Sequence, residues 1–200
     1  MRVKGKKKLI LTTLLIYCGA LLLQDFSIFF QSKALEQKVS HSSIVAILVD
    51  DTIYKNIQDD LERYTTSYIQ QEIPDSKALV MPLNLKNIDA PNIYKMLENI
   101  YFDGLEGENS TLLGVILVGN IPLPVVNQDG YVFPSIYPYV DFLEQKFVRN
   151  PIEGYFTPNG NINGQADIWH GLIDYGSDIT AYHQFFAKVK KYITNPKAFI

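Results

Sequence analysis

Cysteine is almost absent from this chain: of its 200 residues only Cys18 carries a thiol. That cysteine lies in an apolar amino-terminal stretch, so everything after it has no disulfide, no thiolate metal site and no cysteine nucleophile. The short signatures of other hydrolytic chemistries are missing as well. There is no Gly-x-Ser-x-Gly elbow and no His-Glu-x-x-His pair. No glycine-rich loop follows the first apolar run, where Asp50-Asp51-Thr52 would repel phosphate, which argues against nucleotide binding. Positive charge is scarce beyond residue 34. Residues 1–34 hold six of the 18 basic residues and one of the 21 acidic ones, which leaves 12 basic against 20 acidic residues and a net charge of −8. A surface of that sign repels nucleic acid and anionic lipid, so neither is an expected partner. Repeats, heptad arrays and low-complexity tracts are absent too.

The amino terminus is made of different material. Arg2, Lys4, Lys6, Lys7 and Lys8 precede an uncharged, mostly apolar run from Leu9 to Leu23, and a second apolar patch, Phe26-Ser27-Ile28-Phe29-Phe30, follows Asp25. Two readings stand. Small residues at Ser32 and Ala34 suit a cleaved secretory signal peptide. Alternatively, the span from Leu9 to Phe30 is long enough to remain as a membrane anchor helix, with Asp25 placed at the interface. A lipid-bearing Cys18 fits poorly, because Tyr17 stands where a small residue is needed. In both main readings the basic residues stay in the cytoplasm and residues 35–200 are exported. The membrane is then met only through residues 1–34.

The body of the chain alternates apolar runs with amphipathic stripes. Ser42 to Val49 and Leu112 to Val118 are nearly unbroken apolar runs, the pattern of strands covered on both faces in a parallel sheet. Ala78 to Leu83 is a shorter strand, placed at an end or an edge by Pro82. Between these, Tyr54, Ile57, Leu61, Tyr64 and Tyr68, and then Ile93, Leu97, Ile100 and Tyr101, recur at helical spacing; Asp51 or Thr52 caps the first helix and Asp89 the second. Asp167 to Ile173 reads as a fourth strand, and Ser177-Asp178 opens a last helix with the stripe Ile179, Tyr182, Phe186, Val189 and Ile193. The expected fold is a three-layer α/β sandwich with a mainly parallel sheet and residues 112–118 at its centre. The segment 125–164 shows no periodicity and is rich in aromatics, proline and glycine; a connection of that length is usually functional. The stop at Ile200, without a polar tail, reads as a cut, so residues 35–200 are expected to be the first half of a larger molecule.

Asp50, Asp51 and Asn120 end neighbouring strands and should gather at the carboxyl rim, where open α/β sheets bind ligands. Their oxygens suit a hard cation such as calcium or a polar ligand, while capping of turns and helices is the structural alternative. Asn159 to Gly164 has the alternate spacing of a calcium loop, but amides replace the carboxylates and His170 stands at the twelfth place, so charge for calcium is missing. His170 falls within a strand, and His41 and His183 have no assignable partner.

Four stretches taken in order carry a resemblance: Leu112 to Pro122, the loop Tyr137 to Asp141, Gly154-Tyr155-Phe156, and Ala166 to Ile173. The series resembles the gingipain-like cysteine peptidases. Their caspase-like fold has, in its first subdomain, a Leu-Val-Gly-Asp strand, a loop bearing Tyr and Asp, and an Ala-Asp-Ile-x-x-Gly-Arg strand before a helix. The similarity spans residues 43–193. Asn120 replaces the usual Asp and Leu172 the usual Arg, and the family's catalytic His and Cys belong to a second subdomain with no counterpart here. The resemblance implies a non-catalytic amino-terminal portion, and its Tyr- and Asp-bearing loop adds Asp141 to the rim residues Asp50, Asp51 and Asn120 as ligand-binding candidates; no cofactor is expected, with calcium at the rim as the alternative. A downstream catalytic subdomain is the implied partner. A cell-surface domain that binds a protein or peptide on the same scaffold is the competing expectation.

Overall fold

The computed structural model describes residues 42–105, 110–143, 147–159 and 165–195. Residues 1–34, read from sequence as a signal peptide or anchor, lie outside them with Cys18, His41, the acidic loop 106–109 and the glycines of the calcium-like loop. Strand β1 (Ser42–Asp50) leads directly into helix α1 (Asp51–Tyr64), which continues through a π-helical segment, Thr65–Ile69, and a last α turn, Gln70–Glu72. Strand β2 (Ser76–Leu83), helix α2 (Ala90–Asp103) and strand β3 (Ser110–Val118) follow. After a long connection come β8 (Trp169–Ile173) and α3 (Ile179–Thr194). The order across the sheet is β2-β1-β3-β8, and all three pairings are parallel.

Burial explains why these runs become strands. Ile44 to Val49 are wholly buried, alternating between two cores. Ile44, Ala46 and Leu48 face Ile93, Leu97 and Ile100 of α2, whereas Val45, Ile47 and Val49 face Ile53, Ile57 and Leu61 of α1 together with Tyr182 and Phe186 of α3. A strand with apolar side chains on both faces satisfies both layers at once, and each Ile, Val or Leu among them contributes about 1.5–3 kcal/mol by leaving water. Leu113 is an extra residue: Leu112 pairs with Ile44 and Gly114 with Val45, a bulge that resets which β3 residues face which helix. Pro82 lies in β2, which is an edge strand as its proline requires.

The helix starts follow from local chemistry. Asp50 Oδ1 accepts from the Thr52 amide at 2.9 Å and the Thr52 hydroxyl at 2.7 Å. Asp89 Oδ1 accepts from the Asn92 amide at 3.0 Å, with Pro91 in the first turn, and Asp178 Oδ1 accepts from the Ala181 amide at 3.1 Å. Each cap satisfies an amide that the helix itself cannot.

The aperiodic connection is itself structured. Strands β4 (Val125–Gln128), β5 (Tyr131–Pro134), β6 (Phe147–Arg149) and β7 (Phe156–Pro158) form a second, mixed sheet in the order β5-β4-β7-β6. Val126, Phe147 and Phe156 make a small core packed on Tyr94 of α2 and on Tyr137. Strands of three or four residues are too short to display periodicity, which is why the sequence shows none.

Candidate functional site

The parallel strands bring Asp50, Asp51 and Asn120 to one rim, as expected. Asp50 ends β1, and Asn120 follows Gly119 at the end of the adjacent β3. Gly119 has φ +88°, and a Cβ there would approach the Asp50 Cβ to 2.8 Å, so both the sharp exit and the close approach of the two strand ends require glycine. Asp50 is buried and engaged in its cap, Asp51 is half-buried as the first residue of α1, and Asn120 is exposed. Among the described residues, no group of three or more His, Cys, Asp or Glu is placed to hold a metal ion.

Asp141 lies at the opposite end of the sheet. The Val140 carbonyl accepts from the amides of Asp167 and Ile168, immediately before β8 begins, and Asp167 Oδ2 accepts in return from Phe142 at 2.6 Å and Leu143 at 2.7 Å. The connection therefore descends across the α2 face, and Asp141 sits where it meets the start of β8. Asp141 is 1% exposed, and Tyr94, Tyr101 and Tyr137 lie near enough to feel its charge. Burial raises the hydroxyl pKa of Tyr94, Tyr101 and Tyr137; Glu98 adds to this at Tyr94 and Asp167 at Tyr101, and the negative charge of Asp141 pushes all three in the same direction. Tyr139, also buried, anchors the descent by donating to the Pro122 carbonyl at 2.6 Å.

His170 projects from β8 and is exposed. His183, which had no partner in the sequence, meets Asp60 across the two helices, with Nδ1 2.5 Å from Asp60 Oδ2, while Arg63 donates to Asp60 Oδ1 at 2.6 Å. Partial burial would raise the Asp60 pKa; the bonds to His183 and Arg63 outweigh it and hold the carboxyl below its ordinary value. Residues 123 positions apart carry no local signal of this pairing.

Two surfaces stand out that the sequence did not reveal. On the second sheet, all four residues of β5 are exposed, Tyr131 the most at 76%. On the parallel sheet, β8 is an edge strand among the described residues, and it leaves Trp169 39% and Leu172 56% exposed. Beside it, on the α1–α3 face, opens a groove of about 360 Å³ between the π-helical segment, β8 and Phe185 of α3. Trp169 and Gly171 could be read from sequence only as strand residues; that their strand has an open side depends on the order of the whole sheet. No protein-family model, curated protein or solved structure matches this chain.

Proposed function

We propose that the chain is the exported, non-catalytic amino-terminal portion of a molecule related to the gingipain-like cysteine peptidases, with a caspase-like three-layer arrangement, and that it works by docking. The open edge of β8 carries this reading. The strand belongs to the stretch Ala166 to Ile173 that supports the resemblance, and it leaves Trp169 and Leu172 exposed with no lysine or proline to block pairing. Such an edge is a template for a further strand. A downstream catalytic subdomain is the partner this predicts. Cysteine catalysis needs a thiolate beside a base, and Cys18 belongs to the export segment. The full chain, purified in detergent, should therefore hydrolyse no member of a peptide library. Hydrolysis that survives metal chelation overturns the proposal.

Export itself is tested by fusing residues 1–40 to a reporter active only outside the cytoplasm, where silence refutes it. The size of the mature product separates cleavage from anchoring. A second reading, a cell-surface domain that binds protein or peptide, is favoured by the hairpin strand β5, which leaves Tyr131 and Phe133 exposed on one face and Val132 on the other.

A further inference from the structure

The geometry points to the side-chain chemistry of the strand that pairs with β8: it carries a bulky apolar residue, with a cationic residue two positions before it. This rests on the reading of β8 as an open docking edge and adds what that edge selects. The Ile173 carbonyl accepts from Gly119, so the peptide groups of Ile173, Gly171 and Trp169 turn toward β3. By strand alternation those of His170 and Leu172 turn outward, where no strand among the described residues pairs with them, and can bond an added backbone.

Side chains alternate as well. Trp169, Gly171 and Ile173 share the face of Ile116, toward α3, and the groove of about 360 Å³ lies there, immediately beside the edge. Tyr68, Ile73, Ile116, Trp169 and Phe185 line it, and Glu72 is the one charged residue of its lining. Gly171 keeps it open: a Cβ at that position would meet nothing nearer than Ile116 at 3.8 Å. A side chain of Phe, Met or Leu size on an added strand, directed to this face, enters an aromatic-walled space and leaves water. The exposed Glu72 precedes the start of β2, and Trp169 starts β8, so both stand at the amino-terminal end of the parallel strands. A parallel strand thus presents its earlier residue on the same face, two positions before the apolar anchor, to Glu72. The net charge of −8 on residues 35–200 favours a cation there.

The test uses the full chain in detergent and a fluorescein-labelled peptide, Thr-Lys-Val-Phe-Val-Thr-Thr, followed by fluorescence anisotropy. Saturable binding is expected. Replacing the peptide Phe with Ala, or Gly171→Leu in the protein, should each weaken it by about tenfold or more. Glu72→Lys, an exposed change that leaves the fold intact, should reverse the preference for Lys over Glu in the peptide. N-methylation of one alternate set of peptide residues should abolish binding and of the other set should spare it. Absence of saturable binding overturns the inference, and so does equal binding of the Phe and Ala peptides. If the Phe and Ala peptides bind alike while alternate methylation still matters, the groove has no role but the open edge stands. If neither methylated set loses affinity, the docking-edge reading falls with it.

Discussion

The indole of Trp169 occupies the space that a Cβ on Gly114 would need, and the two residues are partners in the parallel β3–β8 register. A glycine in the interior of a buried strand ordinarily weakens it. Here it lets the first residue of β8 fold its ring onto the backbone of β3, which forms one wall of the groove beside the edge. Gly114→Val forces the indole away. The melting temperature should fall by the equivalent of about 1–3 kcal/mol, as for other overpacked sites. Because Trp169 is the only tryptophan, its emission should shift to the red in the same variant. Unchanged emission and melting temperature would show that the ring is placed otherwise.

At the rim, Asp50 caps α1 through Thr52. Asp50→Ala should cost about 1 kcal/mol in chemical denaturation, the usual cost of a lost amino-terminal cap. Calcium should leave the melting temperature of the parent chain unchanged. A rise that Asp51→Ala removes would assign the rim to a cation instead.

Asp167 joins the connection to the parallel sheet by accepting from two successive amides, Phe142 and Leu143. Asp167→Ala leaves both without their charged acceptor and should destabilise by about 1.5–3 kcal/mol. Hydrogen exchange should quicken at Phe142 and Leu143 before it does in β1. Exchange that stays slow at those two amides would mean that the anchor lies elsewhere.

Acid should act through Asp60. Its folded pKa is held below the ordinary 3.8 by His183 and Arg63 despite the opposing effect of burial. The stabilisation is therefore present above pH 3.8 and disappears as pH falls through the lower folded value. Asp60→Asn should flatten that limb of a stability–pH curve; an identical acid limb in the variant would assign the loss to other carboxylates.

Alkali should act through Tyr64. Burial, then the neighbouring Tyr68, pushes its hydroxyl from 10.0 up to about 12. A group raised on folding stabilises fully below its unfolded pKa and is lost as pH climbs through the folded one. Stability should decline between pH 10 and about 12, and Tyr64→Phe should lessen the decline. Ionisation of Tyr64 near pH 10, followed by phenolate absorbance, would contradict the burial.

Much of the fold is legible in the residues themselves, because local patterns have local causes. Unbroken apolar runs at 42–49 and 112–118 mean strands between two layers, helical spacing from Ile57 to Tyr64 means a packed face, and Asp89 and Asp178 mark helix starts through bonds to amides three residues on. The net charge and the lone Cys18 likewise restrict chemistry without any coordinates. What the tertiary structure alone decided is everything that depends on distance in space between residues distant in sequence. The short strands of the second sheet have meaning only in their pairing. Asp141 is buried because its neighbours Tyr139, Val140 and Phe142 pack into the core with α2, and the Asp60–His183 contact comes from the packing of α1 on α3. The open side of β8 and the groove kept clear by Gly171 follow from the order β2-β1-β3-β8, since a strand has a free edge only by virtue of where its neighbours lie.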